Sequence, residues 1–229
     1  MAVDIPLNMA KVISLNVGLP RTVNFHGQAV TTGIFKEPVK GRVKLRRLNL
    51  DGDKQADLTV HGGPDKAVYA YPAEHYDYWK QQQQLLSPKI KKLTWGMFGE
   101  NLTTEGLFED KVNIGDVFQV GSSQVVATQP RMPCYKLGVK FGNMGIIRQF
   151  LDSKLSGIYF RVLKEGDIGA GDMIELISSD KNNVTVKDIV RLVTGESDSA
   201  TLRRAVCIED LAEGWRQEFL KQLAKQDKE

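Results

Sequence analysis

Val112-Asn113-Ile114-Gly115-Asp116-Val117-Phe118-Gln119-Val120 and Ala170-Gly171-Asp172-Met173-Ile174-Glu175-Leu176-Ile177 repeat one phrase. Each sets a Gly-Asp turn ahead of a run of β-branched and aromatic residues, the pattern of a turn feeding a strand. Working outward, the same texture recurs. Gln124–Thr128 follows a Gly-Ser-Ser turn, and Lys11–Val17 is an apolar run stopped by Gly18. Gln28–Thr32 and Gly157–Leu163 also read as strands. So does Arg42–Leu50, with Val43, Leu45 and Leu48 on one face and cations on the other. Short strands punctuated by Gly-Asp turns predict a mixed, mainly β fold of the barrel or sandwich kind. Peripheral helices interrupt it. Tyr71–Leu86 has Pro72 in a first turn and His75, Tyr78 and Trp79 on one face. Asn143–Ser153 is a second, shorter helix.

The texture changes after residue 178. Ser178–Asn183 is a polar linker. Thr185 then caps a helix with Val186, Ile189, Val190 and Val193 at helical spacing, stopped by Gly195. Ser199–Cys207 and Asp210–Gln226 carry further apolar faces. The expected organisation is therefore a β-barrel over residues 1–178 and a small three-helix module over 184–227. At roughly 150 residues per domain, a chain of 229 residues has room for that.

Composition narrows the function. With 41% hydrophobic residues and 21 glycines the chain is an ordinary globular one. A balance of 31 Lys+Arg against 28 Asp+Glu, net +3, gives no bulk electrostatic reason to expect a nucleic-acid polymer as partner. No apolar run reaches the ~18 residues of a membrane span, and the opening residues make a poor signal peptide. A cytoplasmic protein without a membrane partner is the expectation. Cys134 and Cys207 are the only two cysteines. Two thiols cannot ligate an iron–sulfur cluster, which takes about four, nor found a disulfide framework. With three histidines (His26, His61, His75) besides, a metal centre must bring ligands of its own.

Two stretches carry unusual chemistry. Leu50–Tyr71 crowds acids, His61, the Gly62-Gly63 pair and Lys66 among few apolar residues. Glycines allow close backbone approach to a ligand, and Lys66 adds a cation, a combination suited to phosphate. The plainer reading is a long polar turn. Thr128–Leu137 presents Cys134 behind Pro133 on a stiff segment, flanked by Arg131 and Lys136. Nearby cations favour the thiolate, the form that ligates metal or attacks. Otherwise Cys134 is a small buried hydrophobe. Cys207, between Val206 and Ile208, reads as structural. Phe98–Leu102 places Glu100 and Asn101 after a glycine. The cations Lys36, Lys40, Arg42, Lys44, Arg46 and Arg47 form either a solvated strand face or a phosphate-binding wall.

These segments resemble the MOSC domain (molybdenum cofactor sulfurase C-terminal domain). The resemblance rests on Gly52–Gly63 with Asp65-Lys66-Ala67-Val68, on Phe98–Leu102, on Arg131-Met132-Pro133-Cys134 and on Thr32–Val39. The tail from Val184 through Trp215 and Phe219 resembles the three-helix domain of the YiiM-like branch. The resemblance implies a MOSC-type β-barrel and a pterin-type molybdenum cofactor, with no call for pyridoxal phosphate. It implies reductive dehydroxylation of N-hydroxylated bases such as 6-hydroxylaminopurine, with Cys134 as the molybdenum ligand. Lys36, His61, Gly62, Gly63, Lys66, Asn101 and Arg131 fall on motif positions. His61, with a reference pKa near 6.5, suits the proton transfer. The chain has no GxGxxG fingerprint, so the electrons are expected from an external flavoprotein or NAD(P)H-dependent reductase. The three-helix tail reads as a docking or dimerisation element or as a cover for one end of the barrel, which leaves a homodimer open. Two other readings use the same residues. One is a cofactor-binding or sulfur-carrier protein without turnover. The other is a cofactor-free hydrolase with Cys134 as nucleophile and His61 as base.

Overall fold

The computed structural model of the protein describes residues 7–57, 62–82, 90–196 and 198–226. The strands are β1 (Lys11–Val17), β2 (Arg21–Phe25), β3 (Gln28–Thr32), β4 (Glu37–Val39), β5 (Arg42–Leu45), β6 (Val68–Pro72), β7 (Leu102–Glu105), β8 (Val117–Val120), β9 (Ser123–Pro130), β10 (Ile158–Lys164), β11 (Gly166–Gly169) and β12 (Ile174–Ser178). The helices are α1 (His75–Gln81), α2 (Tyr135–Phe141), α3 (Gly145–Ser153), α4 (Val186–Val193), α5 (Ser199–Val206) and α6 (Glu213–Gln226).

Eight strands pair in the order β12-β8-β9-β10-β6-β7-β1-β4, with β11-β5 and β2-β3 as separate ribbons. The fold is thus mixed α/β, built on one large sheet. Among the described residues the strands pair as one curled sheet, and no pairing of named strands closes it into the barrel expected. One edge of β1 belongs to β7, and its other edge is divided. Leu15–Val17 pairs with β4, while Ala10–Val12 bonds to the segment leading into β12 (Val12 N to Asp172 O, 2.9 Å; Ile174 N to Ala10 O, 2.8 Å). The β12 end of the sheet thus comes back onto β1 over only that short stretch.

Both Gly-Asp phrases lead into strands that pair with each other, β8 and β12, with Ile174 opposite Val120. Two expected elements are shorter than their sequence pattern. The strand over Arg42–Leu50 stops at Leu45, because the chain reverses: Arg46 N donates to Asn49 O (2.8 Å) and Asp51 N to Lys44 O (2.9 Å). Leu50 takes the buried place, and Leu48 is 50% exposed. The helix over Tyr71–Leu86 begins only at His75, because Val68–Pro72 is a buried strand, parallel to β7. Its expected end, Leu86, lies outside the described residues.

Burial divides into two clusters. The larger joins the sheet (Leu15, Phe118, Phe160) to the tail (Ile189, Leu202, Phe219) in one continuous apolar core. The second is aromatic and lies under α1–α3: Tyr71, Tyr76, Trp79, Phe98, Phe141 and Phe150. Tyr71 stacks on Phe98 at 4.7 Å between centroids, and Trp79 on Phe150 at 5.9 Å. Such pairs are worth about 0.5–1.5 kcal/mol beyond the area they bury. They make a rigid platform behind the site described next.

Candidate functional site

A cleft of about 660 Å³ opens over the aromatic platform. Its walls come from the β3–β4 connection (Thr32, Gly33, Ile34, Lys36), the segment after Asp53 (Lys54, Gln55, Ala56), Lys66, Phe98-Gly99 with Asn101, and Arg131, Met132, Cys134 and Lys136. Tyr69 of β6 and Tyr159 of β10 complete the lining. Cys134 reaches the wall because β9 ends at Pro130 and α2 begins at Tyr135, so Arg131–Cys134 crosses in extended form (φ −125° at Cys134). Pro133 in that crossing and Pro130 at the end of β9 keep it out of helix.

A buried carboxylate organises the near wall. Asp53 accepts hydrogen bonds from Lys36 Nζ, from Gly18 N (2.9 Å) and from Asn101 Nδ2 (2.9 Å). Asn101 also accepts from Tyr69 N (3.1 Å) and donates to Asn16 O (3.4 Å). Asn101 therefore braces four segments. Glu100 beside it is fully buried and accepts from Gly96 N (2.7 Å), Phe98 N (3.0 Å) and the hydroxyls of Tyr76 (2.5 Å) and Thr103 (2.9 Å). This explains why Phe-Gly-Glu-Asn-Leu reads as a motif: Glu100 shapes the turn and Asn101 ties it to the cleft.

Arg131 is 94% buried by its 6% exposure. Its guanidinium lies 4.8 Å from the Phe150 ring centroid and 5.8 Å from that of Tyr69, as cation–π contacts. Its Nη1 is buried and has no hydrogen-bond partner. Buried donors are almost always satisfied, so an unpartnered one on a cleft wall points to an acceptor supplied by a ligand. Burial lowers the Lys36 and Lys66 amines below the usual lysine value, with Asp53 opposing the shift at Lys36 and Asp65 opposing it at Lys66. Burial raises the Tyr69 and Tyr159 hydroxyls, which Arg131 opposes. Both tyrosines therefore stay protonated, and Tyr69 donates to Ser156 O (2.8 Å).

Of the residues singled out from sequence, Lys36, Lys66, Asn101, Arg131 and Cys134 line this one cleft. Gly62 and Gly63 do not; they line a neighbouring cavity that shares Lys66 and Met132 with it. His61 lies outside the described residues. Arg42, Lys44 and Arg46 are not a phosphate-binding wall: they pair with Asp172, Asp167 and Asp51 on the surface. Cys207 is exposed at the end of α5. Among the described residues no three His, Cys, Asp or Glu side chains cluster as they would round a metal ion. Sequence reasoning missed Lys54, Tyr69 and Tyr159 as lining residues. Tyr69 sits in a fully buried strand, where it reads as core, and only its neighbours across the sheet reveal its second role.

A MOSC domain model matches residues 57–175, and a model for a YiiM-like, 3-alpha helix domain matches residues 184–226. YflK of Bacillus subtilis (strain 168) is 43% identical over 211 residues, covering 92% of this chain and 93% of the relative. The crystal structure of YiiM from Geobacillus stearothermophilus superposes with a TM-score of 0.76 at 32% identity, covering 93% of this chain and 99% of that one. A protein of Gibberella moniliformis (strain M3125 / FGSC 7600) called a reductase is 29% identical over 77% of this chain, which spans 31% of its length.

Proposed function

The chain belongs to the MOSC family and carries a YiiM-like three-helix domain, and from that premise we propose that it is a molybdenum-cofactor-dependent reductase of N-hydroxylated compounds such as 6-hydroxylaminopurine. The observation that carries the reading is a thiol, Cys134, on the wall of a cleft lined by Lys36, Lys54, Lys66, Arg131 and Lys136. The reductase from Gibberella moniliformis supports the reaction class.

The residues fit a pterin-type molybdenum cofactor. Its phosphate is an acceptor of the kind Arg131 Nη1 lacks. A soft thiolate is a suitable protein ligand for a metal that arrives with two sulfurs already bound. When bound, the cofactor supplies the two-electron exchange of R–NHOH + 2e⁻ + 2H⁺ → R–NH₂ + H₂O. Cys134 Sγ would hold the metal. Arg131 and Lys66 would hold the anionic end, while Asp53 and Asn101 keep Lys36 and the cleft wall in place; Gly62 and Gly63, expected to share that role, line the neighbouring cavity instead. His61 donates the proton to the departing hydroxyl oxygen. The electrons come from a separate flavoprotein or NAD(P)H-dependent reductase.

The test is metal and pterin analysis of protein from a host competent in molybdenum-cofactor synthesis, paired with 6-hydroxylaminopurine reduction using an artificial donor. Cys134→Ser loses molybdenum and activity together, and Cys207→Ser keeps both. Full activity in Cys134→Ser overturns the mechanism. Molybdenum retention by the wild type without turnover makes it a carrier instead.

A further inference from the structure

The second cavity lies between the Gly62–Lys66 segment and helix α6 of the tail, and it differs in character from the first. Its lining includes Trp215, Glu213, Glu218 and Gln222 from the tail and Gln129 from β9. Lys66 and Met132 stand on the walls of both cavities, so the two adjoin. The tail is clamped here. Arg161 binds Asp65 on one side (Nε to Oδ1, 2.7 Å) and Asp210 on the other (Nη1 to Oδ1, 2.9 Å). Ala212 N donates to Thr128 O (3.3 Å), and Trp215 Nε1 to Gln129 Oε1 (3.2 Å).

Two glycines leave room on facing walls of the cavity. Gly214 lies in the first turn of α6, where glycine is a poor helix former. Its φ is not in the left-handed region, and a Cβ there would meet nothing within 4 Å. Gly214 is exposed on the cavity's rim, and open space lies where a side chain would project. On the facing wall Gly63, at φ +96°, likewise has nothing within 4 Å of its absent Cβ.

The lining sets the ligand class. The indole N–H of Trp215 is already used by Gln129, so Trp215 offers a ligand apolar ring surface. Glu213 and Glu218, both exposed, offer carboxylate acceptors. The first cleft is cationic and this one is acceptor-rich. An anionic ligand suits the first; a planar, uncharged heteroaromatic with N–H donors suits the second. We propose that the cavity between Gly63 and α6 holds the aromatic ring of the substrate while its reacting nitrogen reaches the Cys134 cleft past Lys66 and Met132. The tail is then a substrate-specificity element, with Gly214 and Trp215 as positioning residues. The assignment deepens the reductase reading and rests on it for the word substrate.

Calorimetric titration of the full chain with adenine tests the cavity without turnover. Wild type binds adenine, and Gly214→Leu weakens binding at least tenfold with an unfolding midpoint no lower than that of wild type. Glu218→Gln, which changes charge and not volume, weakens it at least threefold and decides the matter if Gly214→Leu does not fold. No binding by wild type, or equal binding by a folded Gly214→Leu, overturns the proposal. In cofactor-loaded enzyme, Gly214→Leu raises KM for 6-hydroxylaminopurine at least tenfold and leaves KM for N-methylhydroxylamine within twofold. Equal effects on both substrates also overturn it. Absence of turnover with any N-hydroxylated compound defeats the reductase reading, and the adenine titration still decides whether the cavity binds a base.

Discussion

Replacing Asp53 by Asn removes one negative charge from the interior and almost no volume. Asp53 is 3% exposed and Lys36 8% exposed, so the pair is buried on both sides. Breaking a buried ion pair from one side costs about 3–5 kcal/mol, because the other charge is left without a counter-charge. In Asp53→Asn one terminal atom becomes an NH₂ facing either Asn101 Nδ2 or the Lys36 and Gly18 donors, so no amide orientation satisfies all three. Burial already lowers the Lys36 amine, with Asp53 opposing the shift, and loss of Asp53 lowers it further. Between its folded value and the unfolded value of 10.5 the unfolded chain binds the extra proton, so stability rises with pH in that window. The deficit of Asp53→Asn against wild type is therefore greatest at neutral pH. It shrinks as pH rises toward the wild-type value for Lys36, because a neutral amine needs no counter-charge. Urea denaturation at pH 7 and pH 9.5 reads both statements. Lys36→Met added to Asp53→Asn recovers most of the loss, whereas Lys36→Met alone strands the carboxylate and costs a similar 3–5 kcal/mol. A loss under about 1 kcal/mol at pH 7, or no recovery in the double variant, refutes the account of the cleft wall as hung on Asp53.

Two further outcomes follow from groups near the site. Burial lowers the Lys140 amine to about 8, while its charge lies 4.8 Å from the Phe35 ring. Wild type then gains on the order of 2 kcal/mol between pH 7 and 9.5 from this group, and Lys140→Met, compared by urea midpoints across that range, loses that part of the rise. Arg161→Ala severs the clamp to Asp65 and Asp210 at a cost of roughly 1–3 kcal/mol. Amide exchange in α5 and α6 speeds up while α1 keeps its protection; unchanged protection in α6 would show that the apolar core alone holds the tail.

What the sequence made legible follows the range of the forces involved. Local signals were read well: the Gly-Asp turns, the strands Lys11–Val17 and Gln28–Thr32, and the cap of α4, where Thr185 Oγ1 accepts from Asp188 N (3.0 Å) and Asp188 accepts in return from Thr185 N (3.0 Å). Long-range signals were not. Val68–Pro72 lies in the middle of the sheet with all five residues buried, and its apolar run continues into a helical one without a local break. Lys36 and Lys66 were identified as site residues, whereas Lys54, inside the Gly52–Gly63 motif itself, was passed over although it lines the same cleft. For the surface cations the sequence left a solvated strand face and a phosphate-binding wall both open. The partners of Arg42 and Lys44, Asp172 and Asp167, lie more than a hundred residues away in sequence, so only the fold decides for the solvated, neutralised face.

The same lesson bears on the even charge balance. A net charge of +3 over 229 residues argues against a partner recognised by bulk electrostatics, yet it is silent on how the charges are sorted. Among the described residues the Cys134 cleft collects Lys36, Lys54, Lys66, Arg131 and Lys136, with Asp53 paired to Lys36 behind the wall, and the adjoining cavity collects Glu213 and Glu218. The boundary between them is a fold-level property, set by where the segment from Asp210 to Trp215 is tied to β9 and β10. Lys66 stands on it, half-buried, with an amine whose charge burial disfavours and Asp65 sustains. A ligand that brings an anion to one side of Lys66 and a donor-bearing ring to the other therefore meets complementary charge on both sides. Interchanging the two would put like against like: the anion against Glu213 and Glu218, the N–H donors against lysines. On the proposed reading the arrangement would select the orientation of what binds as well as its chemistry, as the reduction of a bond at one edge of a flat molecule requires.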